Sequence, residues 1–210
     1  MNIPYNMIHI WIGPLEPPLQ WMNTWKEKHP KWNYRIFNND ELNSTKFINQ
    51  HLIDEYLKRE KYAGVADLIR YELLYKEGGF LPPGDALCYE NTEELFVEDS
   101  NICYTVYESE TLRPGFVSPI YACNSGNSFV KTIIERLNLL SPDDLLEPWQ
   151  STGNLFLKEL ISETNPLIKI FPSHYFIPQH FKSKKRYKGN DKVYSDQMWG
   201  STKKTYNKGV

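Results

Sequence analysis

Asp67, Arg70 and Tyr71 are the residues whose types and spacing point most directly to chemistry. They stand at positions i, i+3 and i+4, so a helix would place them on one face. Asp85 follows in a Pro-Pro-Gly-Asp turn, just after the short apolar run 80–81. Ligands of open α/β sheets bind beyond the carboxyl ends of strands, where Asp85 would stand and could ligate a hard cation carrying a diphosphate. The alternative for Asp67 and Arg70 is an ordinary surface ion pair, which contributes little to stability.

Trp11 is the penultimate residue of the apolar run 7–12 (MIHIWI), which Gly13-Pro14 ends. An indole offers a large stacking face for a ligand ring, although a tryptophan in a strand can equally be part of the core. Trp199 has the same two interpretations, ligand contact or packing anchor. His9 lies inside the strand candidate and is expected to be a core histidine. His174 and His180 can face a cleft, but no histidine spacing predicts a metal pair.

The elements that must position these residues follow from apolar periodicity and from glycine and proline punctuation. The predicted strands cover residues 7–12, 34–37, 80–81, 102–107, 116–123 and 168–171. The predicted helices cover residues 21–28, about 53–77 with a stop at Gly78-Gly79, 129–140 and 155–162. The order β-α-β-α-β-β-β-α-α-β predicts an α/β fold with a mixed sheet flanked by helices.

Composition limits the class of protein. A chain of 210 residues that is 40% hydrophobic and 24% charged predicts one globular domain over residues 1–210. The cysteines Cys88, Cys103 and Cys123 lie far apart, which excludes a disulfide scaffold or a zinc module and suits a reducing compartment. The first residues do not resemble a signal peptide, and no apolar stretch approaches the ~20 residues that span a bilayer. We therefore expect a cytoplasmic protein without its own membrane anchor.

Charge is unevenly distributed along the chain. Residues 182–210 hold nine Lys or Arg and two Asp, a charge of +7, so the first 181 residues carry −9 of the formal net charge of −2. Such a basic C-terminal segment can be a solvated tail, a nucleic-acid-binding arm or a strip that meets an anionic ligand.

Two longer motifs resemble glycosyltransferase family 32, the DXD sugar transferases that include fungal Golgi mannosyltransferases and bacterial capsular-polysaccharide enzymes. The first is Ile3-Pro4 with Ile8-His9-Ile10-Trp11-Ile12-Gly13-Pro14, followed by Trp21, Trp25-Lys26-Glu27 and Pro30. The second is Ala66-Asp67-x-x-Arg70-Tyr71-x-x-Leu74-x-x-x-Gly78-Gly79, a pattern shared with the clostridial glucosylating toxins. Softer similarities are Gly126-x-x-Phe129, Ser151-Thr152-Gly153 and the stretch 196–202 (DQMWGST).

The resemblance implies a GT-A fold, a UDP- or GDP-linked sugar donor, a divalent metal that is usually manganese, and transfer to a glycan or protein hydroxyl with retention. Trp11 would then stack on the nucleobase, while Asp67 and Arg70, with Tyr71 beside them, would hold the ribose and sugar hydroxyls. Asp85 would be the second carboxylate of the DXD turn and the metal ligand. Trp199 with Ser201 or Thr202 would close over the diphosphate. The resemblance identifies no catalytic residue.

Three positions depart from the family pattern. Pro83 stands where the first DXD carboxylate is expected, Gln197 stands where a histidine is expected, and Ser118 stands where an asparagine is expected. The chain can thus be an enzyme with a weaker metal site, or a metal-free enzyme in which Lys184, Lys185 or Arg186 neutralises the leaving diphosphate. It can also be a degenerate sugar-nucleotide or glycan binder. A different class, nucleic-acid binding through the basic segment, is disfavoured by the acidic body and the lack of a known motif.

Overall fold

A computed structural model describes residues 3–97, 101–203 and 206 of the chain. The helices are α1 (Leu19–Lys28), α2 (Asn39–Ser44), α3 (Gln50–Lys58), α4 (Tyr62–Glu77), α5 (Ser128–Asn138), α6 (Pro148–Ser151), α7 (Asn154–Thr164) and α8 (Gly200–Lys203). The strands are β1 (Asn6–Ile10), β2 (Asn33–Phe37), β3 (Gly79–Phe80), β4 (Ala86–Cys88), β5 (Cys103–Ser109), β6 (Arg113–Val117), β7 (Ala122–Cys123), β8 (Ile168–Phe171) and β9 (Ser195–Gln197).

The main sheet is mixed, as the element order predicts. Its strands lie in the order β2-β1-β3-β7-β5-β6, and β8 pairs with β5. The contacts of β1 with β2 and β3 are parallel, and so is that of β5 with β8, whereas β7 runs antiparallel to both β3 and β5. The carboxyl ends of β1 and β3 therefore point to the same edge, which is the edge that carries Trp11 and the turn before Asp85.

Side chains alternate between the two faces of this sheet, and each face carries its own apolar cluster. Ile8 and Ile10 of β1 join a cluster formed with α3, α4, α5 and α7. Met7 joins a second, aromatic-rich cluster around Trp25 and Phe80 on the other face. His9 is fully buried beside Trp25 and Tyr34, and burial lowers its pKa to about 3, so the expected core histidine is confirmed.

Helix α4 ends where the glycine pair predicts. Gly78 caps it with φ of 67°, a left-handed conformation that costs glycine little. Gly79 has φ of 107°, and a Cβ there would lie 2.3 Å from the Asn6 carbonyl oxygen, so only glycine lets β3 approach β1. The single helix expected over about 53–77 is wrong, because α3 and α4 are separated by a turn in which Glu60 has φ of 55°.

Two further features differ from the sequence-based expectation. The strand expected over 116–123 is divided into β6 and β7, because Pro119 lacks the N–H needed for continuous pairing. Strands β4 and β9 form a separate antiparallel ribbon, with Ala86 opposite Gln197 and Cys88 opposite Ser195. This ribbon brings the stretch 196–202 to the Asp85 turn. Within the described residues, no helix combines the length and the hydropathy required to cross a bilayer.

Candidate functional site

Asp85 is held by the end of the β4–β9 ribbon. Its Oδ1 accepts a hydrogen bond from Gln197 Nε2 at 2.6 Å, and its Oδ2 accepts one from the Gly200 backbone N–H at 2.9 Å. Its carbonyl oxygen also accepts from the Met198 N–H at 2.8 Å. Burial raises the pKa of Asp85, although these hydrogen bonds act in the opposite direction. The residue that replaces the expected histidine is therefore the direct partner of the surviving carboxylate.

The side chains around Asp85 offer few oxygen ligands for a divalent cation. Both Asp85 oxygens already accept N–H donors, and Pro83 supplies no oxygen from its side chain. Throughout residues 3–97, 101–203 and 206, no three His, Cys, Asp or Glu side chains gather as metal ligands would. Hard cations such as Ca²⁺ take six to eight oxygens. These residues do not fit a metal held by the protein alone.

Trp11 follows β1 and lies against the Asp85 turn. Its side chain is half-buried, and its Nε1 donates to the Leu15 carbonyl oxygen at 2.6 Å. A Cβ on Gly84 would lie 3.2 Å from the Trp11 ring, so the absence of a side chain lets the indole reach the backbone beside Asp85. The ring of Tyr206 lies 4.9 Å from that of Trp11, nearly perpendicular to it. Trp11 is thus not enclosed in the core.

The face of α4 that carries Asp67, Arg70 and Tyr71 makes hydrogen bonds to separate partners rather than one ion pair. Thr152 Oγ1 donates to Asp67 Oδ2 at 3.0 Å, and Tyr71 donates from its hydroxyl to the Thr152 carbonyl oxygen at 2.7 Å. Arg70 Nη1 instead donates to the carbonyl oxygens of Leu81 and Ile120. Because Arg70 is only 8% exposed, the alternative of a surface ion pair is wrong.

Burial gives the groups on α4 unusual protonation behaviour. It raises the pKa of Asp67 to about 7, while the nearby Arg70 charge and the Thr152 hydrogen bond limit the rise. Arg70 Nε is buried and has no hydrogen-bond partner among the described residues. Tyr71 is fully buried, so it lies behind the site and positions Thr152 rather than facing a ligand.

A cavity of about 630 Å³ joins these features. Of the residues expected at the donor site, Arg70, Trp199 and Thr202 line it, and all three departures from the family pattern, Pro83, Gln197 and Ser118, line it too. The remaining lining residues are Glu108, Arg113, Pro119, Tyr121, Trp149, Asn154, Ile177, Phe181 and Lys182. Asp85 adjoins the cavity through Gln197, and Trp11 adjoins the Asp85 turn through Gly84.

The segment expected to close over a diphosphate forms one wall of this cavity. Trp199 adopts φ of 57°, which is rare for a bulky residue and is often found at functional sites. Its Nε1 donates to the Gln179 carbonyl oxygen at 3.0 Å, and its ring packs against Phe181. Thr202 lies in α8; the backbone of Ser201 is in the same helix, and its side chain lies outside the described part of the structure.

The basic residues expected to neutralise a diphosphate are placed differently from one another. Arg186 is paired with Asp196, and Lys184 and Lys185 are exposed. Lys182, not singled out by the sequence, lines the cavity.

Sequence reasoning also missed a charged cluster made by Glu108, Arg113, Asn154 and His180, of which the first three line the cavity. Glu108 is 5% exposed and accepts hydrogen bonds from the other three side chains. One signal was available, because a glutamate in the otherwise apolar and aromatic stretch of β5 is rarely buried without partners.

The comparisons with known proteins agree with this geometry. Residues 19–102 match the model of a family described as a glycosyltransferase sugar-binding region containing a DXD motif. No curated protein sequence matches the chain significantly. The match covers less than half of the chain, so the assignment to family 32 in particular stays a prediction.

Solved structures share the fold at low sequence identity. The PaToxG glycosyltransferase has a TM-score of 0.59 at 12% identity, covering 77% of this chain and 68% of its own. The UDP-bound glycosyltransferase domain of the YGT toxin has a TM-score of 0.57 at 10% identity, and the match covers 86% of this chain and 82% of that domain. A glycosyltransferase involved in the glycosylation of the major capsid of PBCV-1 has a TM-score of 0.50 at 11% identity, and the match covers 97% of each chain. The predicted GT-A-like fold is confirmed.

Proposed function

We propose that this chain is a hexosyltransferase that moves a sugar from a UDP- or GDP-linked donor to a hydroxyl of a glycan or protein, with retention at the anomeric carbon. The observation that carries the proposal is a single cavity that joins Arg70, the Trp199 segment and, through Gln197, the Asp85 turn. The family match and the shared fold with a UDP-bound toxin domain support the same activity.

The nucleobase would stack on Trp11. The half-buried indole lies at the end of β1 and against Gly84, so a stacked base would leave its diphosphate next to Asp85. Stacking of a base on an aromatic side chain contributes about 1–3 kcal/mol. Because Tyr206 contacts the same ring, a bound base would share or displace that contact.

The hydroxyls of the donor would be held by Asp67 and Arg70. The Arg70 Nε is a buried donor without a partner in the described residues, and a hydroxyl oxygen would satisfy it. Asp67 is half-buried and keeps a hydrogen bond from Thr152, which orients its carboxyl. Once ionised, it accepts a charge-assisted hydrogen bond from a sugar hydroxyl.

Transfer breaks the bond between the anomeric carbon and the diphosphate oxygen and forms a bond from that carbon to the acceptor oxygen, whose proton passes to the leaving diphosphate. Negative charge then develops on the leaving diphosphate and must be stabilised. The Gly200 N–H and the Gln197 amide already bond to Asp85, so we propose that Lys182 on the cavity lining stabilises this charge. We propose that Trp199 and Thr202, with Ser201, cover the diphosphate and exclude water during this step.

Manganese held jointly by Asp85 and the diphosphate oxygens stays a prediction. Because the protein residues alone do not fit a metal, basic side chains are the alternative source of the positive charge that neutralises the diphosphate. This alternative is tested with a variant in which Lys184, Lys185 and Arg186 are changed to alanine, called the basic variant below. Arg186 already pairs with Asp196, so Lys184 and Lys185 are its more available cations.

We propose a cytoplasmic location for this activity. Cys88, Cys103 and Cys123 are free and buried, and burial raises the pKa of Cys88 and Cys103 to about 12. Free thiols are typical of a reducing compartment.

A catalytically degenerate binder of the same fold is the second candidate. It is favoured by the hydrogen bonds that already occupy both oxygens of Asp85 and by the absence of a carboxylate at Pro83. Such a protein would bind a nucleotide sugar or a glycan without transferring the sugar.

A panel of ligands separates these candidates. The melting temperature of the protein is measured with UDP, GDP, ADP and single-stranded oligonucleotides, since a ligand that binds only the folded state raises it. UDP or GDP should stabilise a transferase or a degenerate binder, and oligonucleotides alone should stabilise a nucleic-acid-binding protein. Hydrolysis of the matching nucleotide sugar, followed by chromatography, then distinguishes the enzyme from the binder. Absence of a shift with UDP and GDP would refute the proposed function.

A further inference from the structure

The charged cluster at Glu108 lies where the pairing of two strands of the sheet is irregular. The pairing of β5 with β6 shifts register between Tyr107 and Ser109, which places Glu108 opposite the extra residues 114–116 of β6. Bulges redirect side chains and are over-represented beside active sites. The Glu108 side chain is 6% exposed, and the residue lines the same cavity as Arg70 and Trp199.

Glu108 is saturated by donors and holds them in fixed positions. Its Oε1 accepts from His180 Nε2 at 2.9 Å, and its Oε2 accepts from Asn154 Nδ2 at 2.9 Å. Arg113 Nη1 lies 3.0 and 2.9 Å from the two oxygens. A carboxylate with this many donors is a poor nucleophile or base, so its role is to position the groups that bind it.

Arg113 is the group that this arrangement leaves ready for a ligand. Its guanidinium lies 4.0 Å from the centre of the Phe116 ring and 5.1 Å from that of Trp149, so it is held in place by both aromatics. No hydrogen bond within the described residues engages its Nε or Nη2. That edge of a guanidinium matches the two oxygens of a carboxylate or phosphate.

The charge of the surroundings also favours an anion. His180 donates from Nε2 to Glu108 and accepts at Nδ1 from the Lys182 N–H at 3.2 Å, an arrangement that suits a neutral imidazole. Glu108 and Arg113 balance each other, and Lys182 adds one positive charge on the cavity lining. The cluster is therefore net positive before a ligand binds.

Trp149 and Phe181 form an aromatic rim beside these charges. Trp149 is 43% exposed and Phe181 is 36% exposed, and both line the cavity. Exposed aromatic rings next to a fixed hydrogen-bonding group suit a sugar, whose ring stacks while its substituents bond.

We propose that this end of the cavity binds the acceptor, and that the acceptor is a sugar bearing an anionic group, either a carboxylate or a phosphate, which pairs with Arg113. The assignment to the acceptor rests on the proposed transferase function. The donor would occupy the part of the cavity where Gln197 joins it to Asp85, with Trp199, whose ring packs against Phe181, between the two ligands. The competing occupant of Arg113 is the diphosphate of the donor.

The test measures the binding of three sugars by ligand-observed NMR in the presence of saturating UDP. Methyl glucuronide carries a carboxylate, glucose 6-phosphate carries a phosphate, and methyl glucoside is neutral. The proteins are the wild type, Arg113→Gln, Trp149→Ala and the matched control Arg136→Gln. Arg136 makes a comparable two-bond pair with Glu163 on the surface, away from the cavity lining. UDP affinity is measured separately by calorimetry for each protein.

We expect one of the anionic sugars to bind at least about tenfold more tightly than methyl glucoside, because the added pair is charge-assisted. Arg113→Gln should lose that preference, and Arg136→Gln should keep it. Trp149→Ala should bind every sugar more weakly. Since Trp149 is exposed, this second variant keeps the test valid if loss of the Glu108 partner destabilises Arg113→Gln.

Four results would overturn the inference. Equal binding of charged and neutral sugars would show that the site does not recognise an anionic group. An unchanged preference for the anionic sugar in Arg113→Gln would show that Arg113 is not the residue that recognises it. Loss of UDP affinity in Arg113→Gln, with sugar binding intact, would assign Arg113 to the donor diphosphate. A wild type that binds methyl glucuronide but neither UDP nor GDP would refute the acceptor role together with the proposed function, while the sugar site would stand.

Discussion

The ionisation of Asp67 provides the sharpest test of the donor site. Burial raises the pKa of this carboxyl from 3.8 to about 7, against the opposing effects of Arg70 and Thr152. A carboxyl with that pKa is about nine-tenths protonated at pH 6 and about nine-tenths ionised at pH 8. If the ionised form binds a donor hydroxyl, the apparent dissociation constant of the nucleotide sugar falls by about tenfold from pH 6 to pH 8.

Asp67→Asn removes the charge and keeps the oxygen that accepts from Thr152. At pH 8 it should weaken binding of the nucleotide sugar by about ten- to a hundredfold, because charge-assisted hydrogen bonds contribute roughly 1.5–3 kcal/mol. At pH 6 the wild type has lost about tenfold of its affinity, so the difference between the two proteins should shrink by about tenfold. The pH dependence itself should disappear in the variant.

The stability of the protein changes in the opposite sense, which separates binding from folding. An acid whose pKa is raised in the folded state binds more protons when folded than when unfolded between about pH 4 and pH 7. The free energy of unfolding of the wild type should therefore fall as the pH rises through this window. Asp67→Asn should lack this fall and be at least as stable as the wild type at pH 8.

The affinity for the nucleotide sugar is measured by isothermal calorimetry at pH 6 and pH 8. The ligand is UDP-glucose or GDP-mannose, whichever stabilises the protein. A nucleotide sugar is preferred to free UDP because the terminal phosphate of UDP titrates in the same range. Asp54→Asn is the matched control, since Asp54 is exposed on α3 and its carboxylate accepts a hydrogen bond from Gln50. Unchanged affinity in Asp67→Asn, or a pH dependence that survives in it, would refute the assignment of Asp67 to the donor.

Three further predictions concern the donor end and its support. Trp11→Ala should weaken UDP binding by about 1–3 kcal/mol, measured by calorimetry, and should keep the circular-dichroism spectrum of a folded protein. If the variant unfolds and shows no separate loss of UDP binding, Trp11 is a core residue. Manganese should raise UDP affinity in the wild type and not in Asp85→Ala, whereas indifference to manganese with affinity lost only in the basic variant would point to cationic side chains. Arg70→Met should lower the free energy of unfolding in urea by about 2–3 kcal/mol, since two buried carbonyls lose their donor, and a loss below about 0.5 kcal/mol would contradict that support role.

Much of the fold could be predicted because its signals are local. The strand Ile168–Phe171 has the bounds that its apolar pattern predicts, and α4 ends at the glycine pair. A helix stop needs only a residue that tolerates positive φ, which Gly78 supplies within its own turn. The parallel pairing of β1 with β2 followed from the alternation of strand and helix, since parallel strands require such crossovers.

The β4–β9 ribbon could not be predicted, because neither strand carries a strong apolar pattern. Its pairing joins Ala86 to Gln197, and the hydrogen bond between Asp85 and Gln197 connects residues 112 positions apart. Sequence motifs identified Asp85 and the Trp199 segment separately. Only the pairing in three dimensions showed that the altered residue Gln197 is the partner of the remaining carboxylate.

The sequence by itself determined the fold class and which residues to examine at the donor site, since helix spacing and turn residues act over a few positions. The tertiary structure alone decided their contacts: Asp67 and Arg70 share a helix face, yet one is bound by Thr152 and the other by backbone carbonyls. It alone also assembled Glu108 with His180, 72 residues away. In the unfolded chain each of these charges is solvated separately, and only packing removes the water and forces them to pair.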